Sequence, residues 1–112
     1  MFATANRLRS SRDITRVYRQ GRYGGGGVLS LKARKSSLEA TRVVVVVGKK
    51  TDKRAVVRNR LRRRVIGALE RLWDRVPAGY DIVVTVHENP GELPTAGLDQ
   101  LVTRALERAG VQ

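Results

Sequence analysis

Ile14, Val17 and Tyr18 recur at i, i+3 and i+4 within SRDITRVYRQ, a spacing that predicts a short helix over Ser11–Gln20. Ser10 or Ser11 can serve as its N-cap, and Gly21 stops it. GRYGGGG follows, and four consecutive glycines hold regular structure poorly, so the stretch reads as a loop. Val28–Arg34 alternates in period two, with Leu29, Leu31 and Ala33 on one face and Val28, Ser30, Lys32 and Arg34 on the other. That pattern predicts a strand with one wet face. KSSLEA reads as a turn, and TRVVVVVG, which shows no alternation, reads as a strand covered on both faces. From Ala55 to about Arg75 the period becomes helical: Val57, Leu61, Val65, Ala68, Leu69 and Leu72 fall within roughly one third of the wheel at about 100° per residue. Arg60, Arg63, Arg64 and Arg71 project to the other side, while Arg58 and Arg62 border the apolar stripe. Pro77 and Gly79 end that helix, YDIVVTVHE forms a mostly buried strand, and Thr95–Ala109 closes the chain as an amphipathic helix. The order α-β-β-α-β-α predicts an α+β fold, a two-layer sandwich of a small sheet and helices, in one domain over residues 1–112.

Charge changes the picture from fold to function. The net charge is +13, and it is lopsided: residues 1–64 hold 19 of the 23 Lys and Arg against Asp13, Glu39 and Asp52. A surplus this one-sided repels itself unless a polyanion answers it, so nucleic acid is the expected partner. An anionic membrane is disfavoured, because the apolar helix faces are needed for a core. No hydrophobic run reaches the length of a signal peptide or a membrane span; VVVVV at Val43–Val47 is the longest. The chain has no cysteine, which excludes disulfides and thiol chemistry and leans towards a cytoplasmic setting.

Candidate catalytic groups are few. His87 is the sole histidine, and neighbouring Glu88 points to the opposite face of a strand, so the two form no ligand set. The glycines at 24–27 lack the lysine and helix start of a phosphate-binding loop. Trp73 sits at the edge of an apolar helix face and reads as a core or rim residue. The segment Lys49–Val65 is different, with nine basic residues and one acid in seventeen positions. An ordinary solvated helix would mix in glutamate; here Arg58 with Arg62 and Arg60 with Arg64 are like-charged i, i+4 pairs. Arginine predominates from 58 to 64, and its planar fork suits bidentate phosphate contact.

Gly48-Lys49-Lys50 followed by Ala55-Val56-Val57-Arg58-Asn59-Arg60-Leu61-Arg62-Arg63 resembles the signature of the bacterial ribonuclease P protein component. Asn6-Arg7-Leu8-Arg9 and the segment to Gly21 match that family's N-terminal region, and Gly79–Val84 matches its later strand. The resemblance implies a fold similar to the second domain of ribosomal protein S5, with a left-handed βαβ crossover where general rules favour the right-handed one. It further implies a protein that assists a catalytic RNA subunit in removing the 5′ leader from precursor tRNA, with magnesium bound mainly through the RNA. Its partners would be that RNA and precursor tRNA, with no membrane and no obligate protein partner, and the protein alone would not cleave. Lys49, Lys50, Arg58, Asn59, Arg60, Arg62, Arg63 and Arg64 would meet the RNA subunit, and the first helix with one sheet face would form the leader cleft. The family's aromatic pair on that helix reads Ile14 and Tyr18 here, so contact at position 14 would be apolar packing rather than ring stacking. Where the family carries a further basic residue this chain has Ile66, and Arg64 or Arg71 are candidates to replace it. The alternative is a general RNA-binding or ribosome-associated protein without its own catalytic RNA.

Overall fold

The computed structural model describes residues 2–111. Three helices are present, α1 (Ser11–Gln20), α2 (Ala55–Arg71) and α3 (Thr95–Arg108), with four strands, β1 (Arg22–Gly26), β2 (Leu29–Lys35), β3 (Arg42–Val47) and β4 (Tyr80–Val86). Short 3₁₀ turns at Thr4–Asn6 and Trp73–Arg75 precede α1 and follow α2. The sheet runs β1-β2-β4-β3, antiparallel at β1/β2 and β2/β4 and parallel at β3/β4, so α2 is the crossover between two neighbouring parallel strands. The α+β class stands, with one strand more than the pattern predicts.

That strand is the glycine stretch. Residues Arg22–Gly26 pair with Leu29–Ala33, turning through Gly27, whose φ of +67° suits the first position of a two-residue hairpin loop. The absent side chains are what make the strand possible. A Cβ on Gly24 would lie 2.3 Å from the Ala105 carbonyl oxygen and 2.5 Å from the Ala109 nitrogen, so β1 runs directly beneath the backbone of α3. Periodicity cannot report a strand that buries backbone instead of side chains.

One face of the sheet carries the main core. Leu29, Leu31 and Ala33 from β2, Val43, Val45 and Val47 from β3, and Ile82, Val84 and Val86 from β4 pack under Leu61, Val65, Ala68, Leu69 and Leu72 of α2 and Leu98, Val102, Ala105 and Leu106 of α3. The opposite face is thinner: Leu8, Val17 and Val83 are buried there, with Ile14, Val44 and Val46 partly so. The expectation that the valine strand is covered on both faces is therefore corrected. β3 is an edge strand, and Val44 and Val46 remain half-open because α1 spans only part of this side. The helix expected to reach Arg75 ends in α-form at Arg71, and the 3₁₀ turn brings the Trp73 ring within 4.4 Å of Phe2.

Polar links fasten α1 to its face. Ser10 caps the helix by accepting from the Asp13 N–H. Asp81, on β4, receives two hydrogen bonds from Arg42 at 2.8 and 2.7 Å, and Arg42 also reaches Asp13 at 3.3 Å. Asp81 is only 4% exposed, so the bidentate fork satisfies a carboxylate that burial would otherwise penalise. Its hydrogen bond also raises the Arg42 pKa further, against the opposing effect of burial.

Candidate nucleic-acid interface

Pairing register lays out the surface that α1 leaves open. Directly opposed residues share a face, so Tyr23, Lys32, Val83 and Val44 form one row, and Ser30, Thr85 and Val46 form the next. α1 lies over Val83, leaving the second row as the floor of a cleft walled by α1. On that wall Tyr18 is 41% exposed. The Lys32 ammonium donates to the Tyr18 carbonyl oxygen at 2.7 Å and lies 6.0 Å from the centre of its ring. Tyr23, 56% exposed, stands next to Lys32 on the same face. At the far end the Ser30 hydroxyl meets His87 Nε2 at 2.6 Å. The cleft closes on the turn after β3, where Val46, Lys49, Lys50, Thr51, Thr85 and His87 line one concavity. It is therefore aromatic and cationic at one end and cationic at the other.

Ile14 and Tyr18, expected to share a face, differ in their surroundings. Ile14 packs half-buried on the Leu8, Val17 and Val83 cluster, while Tyr18 stands at the rim. Tyr23 was not legible as a site residue, since it falls in a segment that reads as a loop.

From the Lys49–Lys50 turn the basic surface continues onto α2. Thr51 anchors the turn by donating to the Val86 carbonyl at 2.8 Å. Arg54 holds the Asp52 carboxyl down to about 2, first through its guanidinium and also through its backbone N–H. Arg58 folds back and donates to the carbonyls of Asp52 and Lys53, bracing the entry to the helix. Arg62 donates to the Asn59 amide oxygen at 2.7 Å. Arg64 is turned towards the segment that leads into α3, where it donates to the carbonyls of Gly91 and Leu93, and Arg71 pairs with Asp99 at 2.7 Å. Both residues that could stand in at Ile66 are thus engaged within the chain, and Ile66 itself packs against the main core. Among the described residues, Lys49, Lys50, Arg60 and Arg63 have no protein partner and are exposed. No group of three His, Cys, Asp or Glu that could hold a metal ion occurs among the described residues.

A four-stranded α+β domain with an open, aromatic-edged sheet cleft leading onto an arginine-rich helix has the features of an RNA-binding protein. Residues 2–110 match the family model described as Ribonuclease P, and the chain belongs to that family. It is 38% identical to the ribonuclease P protein component of Roseiflexus castenholzii, over 96% of this chain and 88% of that one. To that of Symbiobacterium thermophilum it is 39% identical, covering 96% and 93%. The fold superposes on the ribonuclease P protein from Thermotoga maritima with a TM-score of 0.79 at 25% identity, covering 91% and 96% of the two chains. On that of Staphylococcus aureus the TM-score is 0.81 at 20% identity, covering 95% and 96%.

Proposed function

We propose that this chain is the protein subunit of ribonuclease P and assists the catalytic RNA in removing the 5′ leader from precursor tRNA, in the cytoplasm. The observation that carries this reading is the cleft between α1 and the sheet, with Tyr18 and Tyr23 flanking Lys32. Exposed rings supply stacking faces for unpaired bases, and the ammonium between them answers the backbone phosphates. The leader is the single-stranded part of the substrate, so it is the part such a cleft suits. Lys49, Lys50, Arg60 and Arg63, unpartnered and exposed, are the groups for the RNA subunit. Arg58, Arg62 with Asn59, and Arg64 shape that surface by their bonds within the chain. In this scheme magnesium is bound mainly through the RNA. The chain needs no further protein subunit to present either surface.

The test is cleavage of precursor tRNA by protein freed of RNA, by the RNA subunit alone, and by both together. Protein alone is expected to be inactive, and the combination to work at lower magnesium than the RNA by itself. Hydrolysis by protein shown to be free of RNA would overturn the division of labour. In parallel, if the α2 surface neutralises about five phosphates, affinity for the RNA subunit falls roughly a hundredfold between about 50 and 200 mM salt. Arg60→Ala with Arg63→Ala flattens that dependence; an unchanged slope would mean these side chains are merely solvated.

A further inference from the structure

α1 carries a second set of arginines that neither the cleft nor the α2 surface uses. Arg12, Arg16 and Arg19 are exposed, and at about 100° per residue they lie within about 60° of one another on the helix. Tyr18 projects from the opposite flank, so this stripe faces away from the leader cleft. Arg12 and Arg16 form a like-charged i, i+4 pair, unfavourable unless an anion answers it. The nearby acid, Asp13, is already paired with Arg42. No other described residue pairs with the three guanidinium groups. Ser11, Thr15 and Gln20 complete a shallow groove with them. α1 also lies on the opposite face of the sheet from α2, so its stripe and the Arg60–Arg63 surface point to different sides of the molecule.

We propose that this stripe is a second RNA surface, taking the phosphate backbone of an RNA duplex while α2 holds the RNA subunit, so that the protein bridges two RNA segments. The inference rests on the α2 reading above. Charge selects a polyanion, and the neighbouring side chains select among polyanions. The groove holds no aromatic ring, so it has no platform on which an unpaired base could stack. It has no bulky apolar residue to enter a bilayer. What it offers is guanidinium forks with hydroxyl and amide groups beside them, the set that meets phosphates and 2′-hydroxyls across a duplex.

The test uses the full chain and a blunt-ended RNA duplex of about one helical turn with no single-stranded end. Wild-type protein is expected to bind two duplexes. R12Q/R16Q/R19Q, whose glutamines preserve helix propensity, is expected to bind one. For the weakened α1 site the slope of log affinity against log salt should be smaller by about 2.7, as the loss of three phosphate contacts on a duplex requires. R12K/R16K/R19K should restore the second site. Helicity and thermal unfolding, measured alongside, confirm that the variants are folded. Two duplexes and an undiminished slope in the glutamine variant would overturn the proposal, as would a loss confined to single-stranded RNA or to anionic phospholipid vesicles. R60Q/R63Q tests the other surface separately: if it loses nothing, the α2 reading fails, and the α1 stripe is still scored on its own change.

Discussion

The two faces of the sheet use the same strands for opposite ends. Beneath α2 and α3, side chains from three strands and two helices close into a continuous apolar core. Beneath α1 the buried apolar set shrinks to Leu8, Val17 and Val83, and an Arg42–Asp81–Asp13 network does part of the fastening. Charge pairs hold an element in one orientation without covering area, which leaves Lys32, Thr85 and Val46 half-exposed as the floor beside α1. The difference teaches where a small RNA-binding domain can place its working surface: on the face that its core does not need.

The largest effect tests the assignment of stability to the α2 side. Leu69→Ala, at a fully buried position of α2, is expected to lower stability by about 2–5 kcal/mol, against roughly 1.5 kcal/mol for Val17→Ala on the thinner face. Urea unfolding of both variants measures the contrast, and equal losses would erase it. Next comes the network itself. Asp81→Ala leaves Arg42 without its main partner and is expected to cost about 3 kcal/mol, the low end for a broken buried pair because Arg42 keeps some contact with water. If α1 depends on that pair for its position, leader-bearing precursor tRNA loses its advantage over mature tRNA in the folded fraction. Retention of the full advantage would show that the apolar contacts of Val17 suffice.

Tyr18→Ala sharpens the functional side of the contrast. A stacked base is worth about 1–3 kcal/mol, so binding of leader-bearing precursor tRNA should weaken about tenfold or more while mature tRNA is barely affected. Because Tyr18 stands at the rim, the fold should tolerate the change. An unaltered ratio in well-folded protein would remove α1 from the leader site. The smallest effect is at the Lys49–Arg54 turn, where the cleft ends and α2 begins. The Asp52 carboxyl is held at about 2 in the fold against an ordinary 3.8, so its pairing with Arg54 stabilises the turn above pH 3.8 and is lost as the pH falls towards 2. Carboxyl titration followed by NMR should show this depression, and Arg54→Ala should lessen it, leaving the part due to the residue-54 backbone N–H. Asp52→Asn should remove that part of the acid sensitivity.

Helices, their buried stripes and the arginine segment were legible because each is written in side chains at a fixed period. The Val17 contact, the Leu61–Leu72 stripe and the Leu98–Leu106 stripe follow from spacing alone, and so does the outward aim of Arg60 and Arg63. Where several residues of one type stand in a row, the signal is lost. Five consecutive valines cannot say which of them face the core, and β3 proved to be an edge strand whose alternation exists only in the fold.

Local sequence determined that a basic helix would form and that an anionic partner would be needed to answer it. It also determined the α+β class, since periods of 3.6 and 2 are properties of a few adjacent residues. Only the tertiary structure decided that the glycines become a strand, because the space they leave is filled by the backbone of α3, eighty residues onward in the chain. It decided equally which arginines are free. Arg64 and Arg60 look alike in a helical projection, yet Arg64 finds the carbonyls of Gly91 and Leu93 while Arg60 finds none. How many of a guanidinium's N–H donors are left for RNA depends on which carbonyls and carboxylates of its own chain come within reach, and that proximity is set by how distant segments pack, which no local pattern contains.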